Sequence, residues 1–202
     1  MVQHSIGFQF VAKVAMPNIA NILTLSRIAS IPLIAALLFF EQPVFRWTAL
    51  VLYAVACITD FFDGYIARRM DQVSALGRFL DPIADKLVVG AILMAMTATQ
   101  QIDGWSVLPA LIIMCREIMV SGLREYLATL KIGVPVTLLA KWKTTAQMVA
   151  LGFLIVGDAG PDWLPVTMIG DVLLWIAAVL TVMTGYDYLR VGIKHMADGQ
   201  QI

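Results

Sequence analysis

The stretch DFFDGYIARRMDQVSALGRFLDPIAD, residues 60–85, sets four aspartates into a chain that is otherwise mostly apolar. Asp60 and Asp63 stand three apart, and Asp81 and Asp85 four apart. On a helix each spacing puts both carboxylates on one face, where they can grip a common object. Gly64 and Ala67 share the face of Asp60 and leave room for a ligand. Arg68 follows with a planar fork suited to phosphate oxygens. Four carboxylates gathered in one place repel one another unless something neutralises them, and hard divalent cations held through oxygen do so. Two such cations can clamp the attacking and leaving oxygens of a phosphoryl displacement.

The surrounding chain restricts where such a cluster can stand. Of 202 residues, 60% are hydrophobic and 14% charged, and the mean hydropathy is +0.83. Soluble domains run to about a quarter charged, so these values describe a membrane protein. A bilayer core of roughly 30 Å takes about 20 helical residues per span, and the length accommodates about six spans and no separate soluble domain. Six apolar segments are legible, at about 19–40, 44–69, 74–99, 107–130, 137–156 and 166–193. The expected fold is therefore all-α, a polytopic membrane protein with six transmembrane helices over residues 17–202. Residues 1–16 form either a short interfacial helix, with Phe8, Phe10, Val11 and Val14 on one face, or a disordered extension. No cleavable signal peptide is evident. Pro32 is an expected kink in the first segment. Asp81-Pro82 has two readings: a helix N-cap and first helical position, or a helix that starts near Ser74 and is kinked at Pro82.

Charge placement orients the chain. With the aspartate end of the second segment in the cytoplasm, every lysine and arginine except Arg46 falls on or near the cytoplasmic side. Glu41, Asp103, Asp158 and Asp162 occupy the outer loops, and Trp47, Trp105 and Trp163 fall near the outer ends, where indoles favour the interface. Both termini are then cytoplasmic. An unpaired aspartate at the bilayer centre costs about 2.5–3.5 kcal/mol, and four together about 10 kcal/mol, comparable with the stability of a whole domain. The four must lie at the cytoplasmic edge, in a wet cavity or on metal.

Other residues carry plainer expectations. Cys57 and Cys115 lie in apolar runs and are expected to be buried free thiols outside any disulfide framework. His4 and His195 are expected to be solvated, the eleven methionines to pack or face lipid, and Tyr186, Tyr188 and Arg190 to anchor the last inner end. The net charge is zero, and no nucleic-acid partner is expected. Cations inside apolar segments are functional candidates. Arg116, Arg124, Lys141 and Lys143 form such a set, with Glu117 and Glu125 as possible ion-pair partners. Four cations against two acids leave a surplus that a dianionic acceptor would use.

The run Asp60, Asp63-Gly64, Ala67-Arg68, Gly77, Asp81, Asp85 resembles the signature of the CDP-alcohol phosphatidyltransferases at each of its eight fixed positions. Solvated charge at helix ends would account for one pair, not for eight positions. The resemblance implies attack of an alcohol on the lipid-linked phosphorus of CDP-diacylglycerol, with release of CMP. It also implies two divalent cations, Mg²⁺ with Mn²⁺ as an alternative, on Asp60, Asp63, Asp81 and Asp85, with Asp85 as general base. Asp60, Gly64, Ala67, Arg68 and Gly77 would bind the liponucleotide. The segments at 116–125, 141–148 and 21–27 are similar to those of family members whose acceptor is glycerol 3-phosphate. Arg116, Arg124, Lys141 and Lys143 would then bind that acceptor, and Asn21, Thr24 and Arg27 would line the site. A homodimer in a bacterial cytoplasmic (inner) membrane is also implied. Two alternatives stand: another acceptor, as in cardiolipin, inositol-phosphate or serine lipid synthesis, and, from a different class, a cation transporter. A transporter would spread acids at mid-span over several helices, whereas these four crowd one edge beside an arginine.

Overall fold

Six long helices form where the apolar segments predict them: α1 Ile19–Leu38, α2 Pro43–Met70, α3 Ala75–Ala98, α4 Val107–Thr129, α5 Leu138–Val156 and α6 Val166–Asp198. The structure, a computed structural model, describes residues 19–70, 75–130, 132 and 137–198, and among these there is no strand. The choice between an interfacial helix and a disordered arm at residues 1–16 lies outside the described residues. Local chemistry accounts for several boundaries. Pro43 opens α2, where its missing N–H would have had no partner in any case. Thr137 caps α5, its hydroxyl accepting from the Ala140 N–H at 3.3 Å. α3 ends with Gln100 in the left-handed region (φ 57°). There the Gln101 N–H reaches the Met96 carbonyl at 2.9 Å and the Gln100 N–H reaches Thr97 at 3.3 Å. Pro82 lies inside α3, which already begins at Ala75. The N-cap alternative at Asp81 is therefore excluded, because helix precedes it. α6 continues five residues past the expected end, to Asp198.

The helices form a closed ring. α1 packs on both α2 and α3, α2 on α5, α5 on α6, α6 on α4, and α4 back on α3. The two helices carrying the aspartates thus share α1 as a neighbour. Fully buried side chains come from all around the ring: Ile34 and Leu38, Ala49, Ile92 and Met96, Ile113, Leu151 and Leu154, Leu174.

The outside is as apolar as the inside. On α6, Val172, Trp175, Ile176, Val179, Val182 and Met183 are exposed, while Thr181 and Thr184 are buried. This pattern inverts that of a soluble helix and suits a lipid exterior with polar groups turned inward. Among the described residues, three helical stretches can cross a membrane by length and composition: Pro43–Asp60, Gly104–Thr129 and Val166–Arg190; the apolar run of α1, Ile22–Leu38, is shorter. Two expectations fail here. Cys115 is exposed on the outer face of α4 rather than buried, beside Leu111 and Ile118, while Cys57 is half-buried. Tyr188 is buried, not an interfacial anchor, because it faces the ring interior, whereas Tyr186 is exposed.

Candidate active site

The first acidic pair sits on α2, with Asp60 and Asp63 one turn apart, and the second on α3, with Asp81 and Asp85 one turn apart. Asp60 is held from α1 by Arg27, whose guanidinium Nη1 donates to Asp60 Oδ1. Arg27 and its helical neighbour Thr24, one turn earlier, are both buried. Asp60 thus faces α1, and Asp85 lies on α3, which also packs on α1. Gly77 is buried near the start of α3. The side chains of Asn21, Asp63, Ala67, Arg68 and Asp81, and the surroundings of Gly64, lie outside the described residues.

Asp85 leads into a second cluster. Lys86 Nζ lies 2.5 Å from Asp85 Oδ2 and 3.1 Å from Glu117 Oε2 on α4. The other Glu117 oxygen accepts from Lys143 on α5 and from Arg116 Nη1, the latter at 3.2 Å. Arg116 then crosses to α6. Its Nε donates to the Thr181 carbonyl at 3.1 Å and its Nη2 to Thr184 Oγ1 at 2.9 Å, and its Cζ lies 5.8 Å from the centre of the Tyr188 ring. Gly185 makes room for this crossing, since a Cβ there would come within 3.1 Å of Arg116 Cγ. A groove of about 700 Å³ runs between α3 and α4, from Lys86, Glu117 and Ser121 to Met94.

The four expected acceptor cations thus divide. Arg116 and Lys143 are buried on Glu117, whereas Arg124 and Lys141 are exposed near the connection from α4 to α5. Sequence reasoning missed Lys86, whose position next to Asp85 in the chain hides its reach to Glu117. It also missed the seat for Arg116. A signal for that seat was present: Thr181, Thr184, Gly185 and Tyr188 are spaced three, four and seven along an apolar helix, one polar stripe aimed inward.

Buried ion pairs, an apolar exterior and oxygen donors paired by helical turns define a polytopic membrane protein with ionic groups buried within an otherwise apolar core. The model of the family described as CDP-alcohol phosphatidyltransferase matches residues 17–183. The chain is 45% identical to a protein of Rickettsia bellii over 178 residues, 88% of this chain and 97% of the relative. It is 39% identical to one of Cereibacter sphaeroides over 90% of this chain and 98% of the relative. With a protein of Shigella flexneri it shares 38% identity over the same proportions. All three relatives are named CDP-diacylglycerol–glycerol-3-phosphate 3-phosphatidyltransferase. The chain belongs to the CDP-alcohol phosphatidyltransferase family.

Proposed function

We propose that this protein transfers the phosphatidyl group of CDP-diacylglycerol to sn-glycerol 3-phosphate, giving phosphatidylglycerophosphate and CMP. The observation that carries the proposal is near-full-length identity of 38–45% to relatives bearing that name, in a chain with the whole eight-residue motif. The acceptor hydroxyl attacks the lipid-linked phosphorus, the bond from that phosphorus to the CMP oxygen breaks, and Asp85 takes the hydroxyl proton.

The donor set fits a hard divalent cation. It is all carboxylate oxygen, on two helical turns, and the helices that carry the pairs, α2 and α3, both pack on α1. Asp60, Asp63, Asp81 and Asp85 would hold two Mg²⁺ ions, with Mn²⁺ as an alternative. Bound there, the ions would polarise the phosphoryl oxygens and neutralise the departing CMP. Arg27 fixes the Asp60 carboxylate from behind. Gly64, Ala67, Arg68 and Gly77 contact the CMP portion, Arg68 through its fork. Arg124 and Lys141 meet the acceptor phosphate first, and Arg116 and Lys143 supply positive potential beneath them. Asn21, Thr24 and Arg27 would line the site, as the family resemblance implies.

All six helices cross the cytoplasmic membrane of a bacterium, with the site and both termini on the cytoplasmic face. Support for this orientation comes from the distribution of lysine and arginine. The chain works as a homodimer, as the family resemblance implies. Release of CMP by purified protein, with one alcohol supplied at a time, tests the acceptor. Release with glycerol 3-phosphate alone is expected. Release with serine or inositol 1-phosphate instead would keep the donor and reassign Arg124 and Lys141.

A further inference from the structure

Glu117 is a single buried carboxylate that gathers cations from three helices: Lys86 on α3, Arg116 on α4 and Lys143 on α5. Its two oxygens divide the work. Oε1 takes Lys143 and Arg116, and Oε2 is turned to Lys86. The ammonium of Lys86 is shared, with Asp85 on one side at 2.5 Å and Glu117 on the other at 3.1 Å. Because Lys86 follows Asp85 directly in the chain, no backbone shift can take the lysine away from its neighbour. A second acceptor can draw the ammonium off, and among the described residues Glu117 is the one within reach. Among the described residues the cluster sets three cations against two acids, so loss of Glu117 leaves Asp85 as its remaining described acid. A free carboxylate at Asp85 is what an incoming divalent cation needs. An ammonium closed upon it competes directly.

We propose that Glu117 is a positioning residue for Asp85: by holding the far side of the Lys86 ammonium, it weakens that lysine's hold on the carboxylate that a divalent cation must share. This inference rests on the proposed role of Asp85 as a metal ligand. It concerns metal binding before any substrate arrives, so it can be read without turnover.

The test is Mn²⁺ binding to the purified full chain in detergent, without substrate, followed by the electron paramagnetic resonance of the free ion. Glu117→Gln should weaken binding roughly tenfold, the size of one charge-assisted hydrogen bond gained by the competing lysine. Lys86→Gln should tighten binding. In the Lys86→Gln background, Glu117→Gln should change nothing further, because the competitor is gone. An equal weakening in both backgrounds would overturn the inference, since it would mean a long-range charge effect that bypasses Lys86. So would a Glu117→Gln protein that loses thermal stability but binds Mn²⁺ as before. Should Glu117→Gln fail to fold, Lys86→Gln decides alone, and unchanged affinity there overturns the inference. A parent protein that binds no Mn²⁺ overturns the metal reading of Asp85 and this inference with it. A parent that binds Mn²⁺ normally, with no effect of either variant, overturns this inference alone.

Discussion

Asp60 and Asp85 each face a cation, and the two cations differ in kind. Arg27 is a planar fork that stays charged and comes from another helix, so it fixes Asp60 in place. Lys86 is a flexible point charge divided between two acids, Asp85 and Glu117. Replacing Asp85 by Asn keeps the shape and removes the proposed base. Turnover should fall by about 100- to 10,000-fold while CDP-diacylglycerol binding persists, and rates measured beside equilibrium binding of the liponucleotide will separate the two. Near-normal turnover would remove Asp85 as the base. Arg124→Ala should raise the KM for glycerol 3-phosphate about tenfold or more, with little change for the liponucleotide, as expected when one charge-assisted contact is lost. An equal rise for both substrates would mark Arg124 as structural. The carboxylates were legible because their spacing is local. Their partners were not. Arg27 lies 33 residues from Asp60 and Lys143 26 from Glu117, distances that only helix packing closes.

The interior face of α6 ties α4 into the ring through Arg116, and the tie is polar. Thr184→Val keeps the volume but removes the hydroxyl that accepts from Arg116 Nη2. The Thr181 carbonyl and Glu117 remain as partners, so stability should fall by about 1 kcal/mol, read as a lower unfolding temperature in detergent. No change would mean that the contact contributes nothing. Helix positions were readable from the apolar runs, and the ends agree within a few residues except on α6. Pro82 was not resolvable from sequence, because Asp-Pro suits a helix start as well as a kinked interior, and the residues ahead of it decide. Tyr188 misled for a similar reason. A tyrosine near an inner end fits the interface or a polar interior equally, until the neighbouring threonines are seen to face the same way.

A ring of six helices with apolar surface on both sides makes orientation a property of the whole chain. Single cysteines in a background lacking Cys57 and Cys115 can report it. With an impermeant maleimide on intact cells, Asp162→Cys should react, and Tyr126→Cys only after the cells are opened. The reverse pattern would turn the protein over in the membrane and put the aspartates outside. The polytopic helical class was legible from composition alone, whereas the closure of the ring through α3 and α4 was not, since hydropathy carries no partner information. The central claim is that one phosphatidyl group passes to one glycerol 3-phosphate at the aspartate cluster. It is tested most directly by supplying labelled glycerol 3-phosphate with CDP-diacylglycerol and Mg²⁺, and counting lipid-bound label against CMP released. The account predicts equal amounts of both, and neither once the divalent cation is chelated. CMP released without label in the lipid, or transfer that survives chelation, would contradict it.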